Sequence, residues 1–255
     1  MPIRQSFSWW CFADRGVEDR VLLESAKNIG YHAVELVPEH KLGLASELGL
    51  QIASHGAHPL SAVGLNNPDD HAEIECSVLA SIDLAKRFLI ENLIVFSGNR
   101  DLAISEEQAA ENCAEGIRRF IRQAEDAGVN IVMELLNSRV DHPRYQCDST
   151  TWGVSVCEQV DSSHFGLLYD IYHMQIMEGD LIRTIQNHHK HFLHYHTAGN
   201  PGRRDLDEHQ EINYPAVLLA IKATGYSGFI GHEFIPKGDV LPALERAYEL
   251  GHDSL

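Results

Sequence analysis

Short apolar runs alternate with longer amphipathic stretches along the whole chain, and this pattern predicts a regular succession of strands and helices. Eight runs of six or seven residues predict β-strands. They span about Ile3 to Trp9, His32 to Val37, Leu50 to His55, Asn92 to Ser97, Asn130 to Leu135, Phe165 to Asp170, His191 to His196 and Gly228 to Glu233. Most of them are nearly continuously apolar, which is typical of strands buried on both faces.

Seven stretches between and after these strands have helical periodicity. The two clearest are His71 to Leu89 and Glu106 to Ala127, the second of which is followed by Gly128 as a helix stop. The others are about Asp19 to Asn28, Thr150 to Val160, Gly179 to His189, Pro215 to Thr224 and Asp239 to Leu250.

The alternation of strand and helix predicts a parallel sheet covered by helices. Eight repeats favour closure into an eight-stranded parallel (β/α)8 TIM barrel, and the 255 residues of the chain match the usual length of that fold. Because no linker, low-complexity tract or change in composition divides the chain, we expect one α/β TIM-barrel domain over residues 1–255.

The composition is strongly acidic, with a formal net charge of -17. Such a surface repels nucleic acid and anionic membranes, so we expect neither as a partner and favour a small molecule. The five cysteines form no CxxC pair, and the N-terminus has no signal-peptide pattern. No stretch of 18 uninterrupted apolar residues occurs, and we therefore expect a cytoplasmic protein.

Side chains that can bind a metal stand at the ends of four predicted strands, in the runs NIVMELL, FGLLYDI, HFLHYHT and GFIGHEF. They are Glu134, Asp170, His196 and Glu233. The ends of parallel barrel strands meet at one rim, where the active sites of such barrels lie. Three acids and a histidine would bury unpaired charge there unless a cation joined them, so the pattern predicts a divalent metal site.

An alternative is that each acid pairs with a nearby Lys or Arg, or caps a helix. That explanation suffices for any one of the acids. It does not explain why four independent strands place a ligand-type residue at the same height, above mostly apolar or small inward residues such as Val132, Leu168 and Gly231.

Two further residues follow these strands closely. His173 lies three positions after Asp170 and is predicted to hydrogen-bond a substrate oxygen or to transfer a proton, with a packed loop histidine as the alternative. Arg203, in the loop HTAGNPGR after His196, suits an anionic or polyhydroxyl substrate, with an exposed turn residue as the alternative. His194 shares the face of His196 one layer deeper, which favours a supporting position.

Several other residues fall at the predicted rim with weaker signals. They are Glu35, His55, Ser97, Gly98, Asn99 and Arg100. Of these, His55 and Asn99 are predicted to contact the substrate. Trp9, Trp10 and Phe12 follow the first strand. They either close the pocket or contact a neighbouring copy of the chain, and in the second case the protein is a homo-oligomer.

The motifs MELLNSR, LLYDIYHMQIMEGD, HYHTAGNPGR and GYSGFIGHEFIP resemble those of the hydroxypyruvate isomerase family, within the wider xylose isomerase-like barrel superfamily. The resemblance covers about Asn130 to Pro236. It implies that Glu134 and Glu233 are the catalytic acid and base pair as well as metal ligands, and that His173 and Arg203 contact the substrate. The tryptophan- and glycine-containing segment that the family has after strand three is replaced here by SHGAHPLSAVGLNNPDD, where substrate-selecting loops belong.

The resemblance implies a metal-dependent isomerase of a small keto acid or sugar, in which a proton moves between adjacent carbons through an enediolate. A ketose 3-epimerase on the same scaffold is the alternative, because return of the proton to the same carbon gives epimerisation. A metal-dependent phosphodiesterase or endonuclease would be expected to have more histidine ligands and a basic groove. A non-catalytic sugar-binding barrel would be expected to lack one of the two glutamates. The carboxylate majority favours Mn or Mg, with Co or Zn as alternatives.

Overall fold

The structure is a computed structural model that describes residues 3–61 and 63–254. Its strands form one parallel sheet in the order β3-β2-β1-β9-β8-β7-β6-β5-β4. They are β1 (Arg4–Ser8), β2 (Ala33–Glu35), β3 (Gln51–Ile52), β4 (Ser54–Gly56), β5 (Asn92–Val95), β6 (Asn130–Glu134), β7 (Phe165–Asp170), β8 (Phe192–Thr197) and β9 (Phe229–His232).

The two segments at the ends of this order, β3 and β4, are separated only by Ala53. The backbone N–H of Ala53 donates to Val34 O at 3.0 Å, and its carbonyl accepts from the backbone N–H of Asn92 at 3.2 Å. The two segments therefore act as one interrupted strand that joins β2 to β5, and the sheet closes into a barrel. The predicted parallel barrel is confirmed, with its third strand divided in two.

The helices cover the outside of the barrel. They are α1 (Trp9–Phe12), α2 (Asp19–Ile29), α3 (Leu42–Glu47), α4 (His71–Phe88), α5 (Glu106–Arg118), α6 (Ile121–Ala127), α7 (Thr150–Val160), α8 (Ile171–Met177), α9 (Leu181–His188), α10 (Tyr214–Ala223) and α11 (Val240–Ser254). None of the helices within the described ranges is long and apolar enough to cross a membrane.

The helices agree with the periodicity except at one break and three additions. The predicted helix from Glu106 to Ala127 is two helices, because the chain leaves the helical path at Phe120 (φ -132°), whose ring is fully buried. The additions α1, α3 and α8 have four, six and seven residues, too few to give a clear periodic signal.

The start of α8 positions part of the rim. Asp170 ends β7 and is also the N-cap of α8, where its Oδ1 accepts a hydrogen bond of 3.0 Å from the backbone N–H of His173. One carboxyl oxygen of Asp170 thereby fixes the helix, and the other, Oδ2, points away from this cap.

The interior of the barrel is apolar at its base and polar towards the rim. Ala33, Ala53 and Phe229 form a small buried cluster inside it. Nearer the rim, Glu35, His194 and His196 are fully buried. The main apolar core lies between the outer faces of the strands and the helices.

Candidate active site

The rim of the barrel brings the four predicted metal-binding side chains together. One oxygen or nitrogen atom from each of Glu134, Asp170, His196 and Glu233 lies within 4.8 Å of the others. Glu134 and Asp170 end their strands, and His196 is the penultimate residue of β8. Glu233 directly follows β9. We call these four residues the ligand group.

Charges within the ligand group are close and shielded from water. His196 Nδ1 lies 3.0 Å from Glu233 Oε2 and 3.6 Å from Glu134 Oε1. Burial raises the pKa of Asp170 to about 7, against an opposing effect of Arg203. Burial would also raise the pKa of Glu233, but the charges of His196 and Arg203 outweigh it and hold that pKa well below its usual range.

Two atoms of this group are unpaired within the described part of the chain. Asp170 Oδ2 and His196 Nδ1 are buried and have no hydrogen-bond partner there. Unpaired buried polar atoms are unfavourable, and each of these is a lone-pair donor when its side chain is deprotonated. Three carboxylates and one imidazole form an oxygen-rich donor set of the kind that hard divalent cations prefer. The residues present therefore fit a divalent ion.

His173 is buried beside this group, and its hydrogen bonds define its tautomer. The backbone N–H of Asn137 donates to His173 Nδ1 at 3.2 Å, so Nδ1 is an acceptor and the proton of the neutral ring is on Nε2. Burial lowers the pKa of His173 well below its usual value, with Arg203 acting in the same direction. Nε2 lies 3.8 Å from Asp170 Oδ2 and has no hydrogen-bond partner in residues 3–61 and 63–254. It is available as a neutral donor.

Arg203 is held over the ligand group by aromatic rings. Its Nη2 lies 2.5 Å from Glu233 Oε2 and 3.9 Å from Asp170 Oδ2. Its guanidinium carbon is 5.3 Å from the centre of the Trp10 ring and 5.9 Å from that of Tyr172. In this conformation the arginine neutralises part of the acidic charge of the site.

A pocket of about 280 Å³ opens beside the ligand group. It is lined by Trp10, Leu36, Leu60, Ile94, Phe96, Glu134, Leu136, His142, Arg203 and Glu233. The polar atoms of the glutamates and the arginine lie on one side, and the remaining wall is apolar except for His142. Pockets of this kind, mostly apolar with a few convergent polar groups, bind small molecules.

A family model described as a xylose isomerase-like TIM barrel matches residues 23–253. The chain belongs to this family. A 2-oxo-tetronate isomerase of Haemophilus influenzae is 26% identical over 72% of this chain and 69% of its own. A hydroxypyruvate isomerase of Escherichia coli is 26% identical over 67% of this chain and 65% of its own. The resemblance drawn from the motifs is confirmed, and the chain is an enzyme of the isomerase and epimerase type.

Solved structures show the same fold at low identity. A crystal structure described as AP endonuclease, family 2, from Brucella melitensis has a TM-score of 0.83 and 23% identity, and covers 96% of this chain and 97% of its own. A D-psicose 3-epimerase from Clostridium cellulolyticum H10, solved with D-tagatose, has a TM-score of 0.77 and 18% identity, with 98% and 97% covered. At these identities the likenesses establish the barrel fold only. The reaction has to be inferred from the residues of the site.

His55, predicted to contact the substrate, lies elsewhere. Ser54 points into the barrel, where its Oγ donates to Glu35 Oε2, so the next residue, His55, faces the outside. Strict alternation from Gln51 would instead turn His55 inward. The irregularity at Ala53 shifts the facing pattern by one residue, as β-bulges do, and His55 is not among the residues that line the pocket.

Asn99, the other weak prediction, also lies apart from the ligand group. The chain turns at Gly98 (φ 86°), and Asn99 then pairs with Tyr145 in an isolated antiparallel bridge. Asn99 and Arg100 line a separate pocket of about 270 Å³. The guanidinium of Arg100 pairs with Asp148 at 3.1 Å and with Glu106 at 2.9 Å. The loop after β5 therefore carries these two side chains away from the site.

Of two further polar side chains in the pocket, Trp10 was predicted either to close the pocket or to contact a neighbouring copy, and His142 received no role from the sequence. Trp10 lines the pocket, and its Nε1 donates to Glu233 Oε1 at 2.8 Å, whereas Trp9 is buried beneath. His142 also lines it, and its Nε2 is buried without a hydrogen-bond partner among the described residues. Trp10 lies just beyond β1, whereas His142 is eight residues past the end of β6, in a loop whose path no local pattern predicts.

Proposed function

We propose that the protein is a divalent-metal-dependent isomerase that interconverts a small hydroxy-carbonyl compound, a keto acid or a short sugar, with its carbonyl isomer. The observation that carries this proposal is the placement of two glutamates, Glu134 and Glu233, in both the ligand group and the wall of one pocket. Carboxylates that bind the cation and also face the substrate are in position to move its carbon-bound proton.

The first step is removal of a proton from the carbon next to the carbonyl. Glu233 suits the role of base because nearby positive charge keeps it ionised despite its burial. In the metal-free protein that charge comes from His196 and Arg203, and with a bound ion the ion would take the place of the charge of His196. The electron pair of the broken C–H bond moves towards the carbonyl carbon and gives an enediolate. A divalent ion at the ligand group would polarise the substrate oxygens and stabilise the charge that develops on them.

The second step is return of the proton to the neighbouring carbon, while the hydroxyl proton of the substrate passes from its oxygen to the oxygen of the former carbonyl group. Glu134 comes from β6 and Glu233 follows β9, so the two carboxylates approach the pocket from different strands. The buried Nε2–H of His173 donates to a substrate oxygen in both steps, because the hydrogen bond from Asn137 keeps Nδ1 as an acceptor. A fixed neutral donor can stabilise an oxyanion without surrendering its proton.

Epimerisation is the alternative outcome on the same residues. If the second glutamate returned the proton to the opposite face of the same carbon, the product would be an epimer. Because Glu134 and Glu233 come from different strands and both line the pocket, both outcomes are compatible with this geometry. Manganese or magnesium is the favoured ion, with cobalt or zinc as alternatives. The five free cysteine thiols suit a reducing compartment such as the cytoplasm.

Isotope incorporation tests the proposal. The metal-loaded protein is incubated with hydroxypyruvate and a panel of small aldoses and ketoses in deuterated water. Isomerisation is expected to place deuterium on the carbon adjacent to the original one, and epimerisation on the original carbon with inverted configuration. Absence of carbon-bound deuterium from every compound, with metal bound, would contradict the proposed function.

A further inference from the structure

We propose that Glu35 is a positioning residue that holds the imidazole of His196 with its proton on Nε2, so that the lone pair of Nδ1 faces the other three residues of the ligand group. The purpose of this arrangement rests on the proposed metal-dependent function. The geometry of the arrangement does not rest on that function, because all of the contacts that define it are between residues of the chain.

Glu35 is a buried carboxylate that ends β2 and lies inside the barrel. Four donors surround its two oxygens. Ser6 Oγ donates to Oε1 at 2.8 Å, and Ser54 Oγ donates to Oε2 at 2.5 Å. The Nε2 atoms of His194 and His196 lie 2.7 and 3.2 Å from Oε2. Three of these donors meet Oε2 and one meets Oε1, so both oxygens of the carboxylate accept hydrogen bonds.

The hydrogen bond to Glu35 determines which nitrogen of His196 is free. An ionised carboxylate only accepts hydrogen bonds, so His196 Nε2 must carry a proton. In the neutral ring Nδ1 then has a lone pair. That atom is the one 3.0 Å from Glu233 Oε2 and 3.6 Å from Glu134 Oε1. Carboxylates that orient a ligating histidine in this way raise its basicity and its affinity for a cation.

The barrel makes room for Glu35 at Gly231 of β9, which flanks β1 on one side as β2 flanks it on the other. A Cβ atom at Gly231 would lie 1.9 Å from Glu35 Oε1 and 2.9 Å from a ring carbon of His196. Gly231 is on β9 and pairs with His196 of β8, whereas Glu35 is on β2. The absent side chain therefore lets the carboxylate and the imidazole meet at the centre of the barrel.

A second cation site is the competing explanation for Glu35, His194 and His196, since one atom of each lies within 4.8 Å of the others. The distances of 2.7 and 3.2 Å are those of hydrogen bonds, and two serine hydroxyls also donate to the carboxylate, Ser6 to Oε1 and Ser54 to Oε2. A cation would have to displace several of these bonds. The hydrogen-bonded arrangement explains all of the contacts.

The decisive comparison is between Glu35→Gln and Ser54→Ala. Both variants alter the same buried cluster, but only the first removes the carboxylate that accepts from His196. We expect Glu35→Gln to lower the affinity for Zn²⁺ and for Mn²⁺ by about 10- to 100-fold, measured by calorimetry with each metal alone. Ser54→Ala should retain nearly all of the parental affinity for both ions. Equal losses in the two variants would indicate a merely structural role and would overturn the proposal.

A measurement on the parental protein needs neither a variant nor a metal. With ¹⁵N-labelled histidine and no metal, at a pH high enough to keep His196 neutral, NMR should find its proton on Nε2. A proton on Nδ1 would overturn the proposal even if Glu35→Gln failed to fold. Neither readout depends on turnover, so failure here is distinguishable from the absence of deuterium incorporation that would contradict the proposed isomerase.

Discussion

The indole N–H of Trp10 donates a hydrogen bond of 2.8 Å to Oε1 of Glu233, although Trp10 follows the first strand and Glu233 follows the last. The bond leaves Oε2 of the same carboxylate to Arg203 and His196. One edge of the proposed base is thus held by the tryptophan while the other faces the cationic groups of the site.

Replacing Trp10 by Phe should therefore lower activity more than stability. The ring is 43% exposed, so its packing contributes little and water can replace its hydrogen bond in the folded protein, but Oε1 of Glu233 then loses the donor that orients the carboxylate. We expect kcat/KM to fall by roughly tenfold or more with little change in Tm. Trp152→Phe is the matched control, because Trp152 Nε1 donates to Glu106 O outside the site. An unchanged kcat/KM in Trp10→Phe would assign the tryptophan to packing alone.

Removing the basic carboxylates should abolish most turnover. Glu134→Gln and Glu233→Gln keep the size and one oxygen of each side chain but lose the base, and general acid-base groups contribute roughly 100- to 10,000-fold. Steady-state kinetics and elemental analysis together measure the effect. A variant that lacks only the returning acid should still exchange the substrate proton with solvent. Parental rates in both variants, with metal bound, would contradict the two-glutamate mechanism.

Loss of a single ligand should release the ion without unfolding the barrel. Asp170→Asn keeps an oxygen that can cap α8, whereas Asp170→Ala removes the cap as well, at a cost of about 1 kcal/mol. We expect both variants, and His196→Ala, to lose most of their bound metal. Only Asp170→Ala should also lose stability from the missing cap. Elemental analysis and urea unfolding separate the two effects, and undiminished metal in all three variants would contradict the ligand group.

Arg203→Ala should change both substrate binding and the pH profile. The guanidinium Nε has no hydrogen-bond partner within the described ranges and is available to an anionic or hydroxyl group of the substrate, so KM should rise. Arg203 also lowers the pKa of Glu233. Its removal raises that pKa, so the acidic limb of the kcat/KM profile should move to higher pH. A profile and a KM both equal to the parental ones would place Arg203 outside the reaction.

His58 should make stability depend on pH independently of the ligand group. Its Nε2 accepts the backbone N–H of Phe96 at 2.9 Å, and burial lowers its pKa to about 4. The pKa of histidine in the unfolded chain is about 6.5. The contribution of neutral His58 to the free energy of unfolding is therefore fully present above about pH 6.5 and is lost as the pH falls towards 4. The difference is worth about 3 kcal/mol. His58→Asn retains an acceptor but not the titration, and its unfolding free energy should fall less between about pH 7 and pH 4.5. Equal losses in parent and variant would exclude His58.

The barrel and the ligand group could be predicted from the sequence because both depend on local periodicity. A residue at the end of a strand lies at the rim whichever strands are its neighbours, and this placed Glu134 and Asp170 correctly beside each other. The position of His55 could not be predicted in the same way, because one irregular residue, Ala53, reverses the faces that follow it.

Contacts between residues that are far apart in the chain could not be predicted from the sequence either. Glu35 is recognisable as a residue at a strand end, but its burial beside His196 depends on the space at Gly231, which is far away in the chain. The hydrogen bond from Trp10 to Glu233 likewise joins two residues that are 223 positions apart in the chain. Such relationships arise only when the sheet closes, and no local pattern records them.

The carboxyl group of Asp170 belongs to two structures at once, since Oδ1 closes the first turn of α8 and Oδ2 faces the other atoms of the ligand group. The donor His173 sits on that same turn, so its distance from the ligand group is set by the pitch of a helix rather than by the conformation of a loop. Loops that connect such elements generally tolerate changes in length. The interval from Asp170 to His173 has no such freedom, because inserting or deleting one residue would rotate the imidazole by about 100° around the helix axis and out of the site.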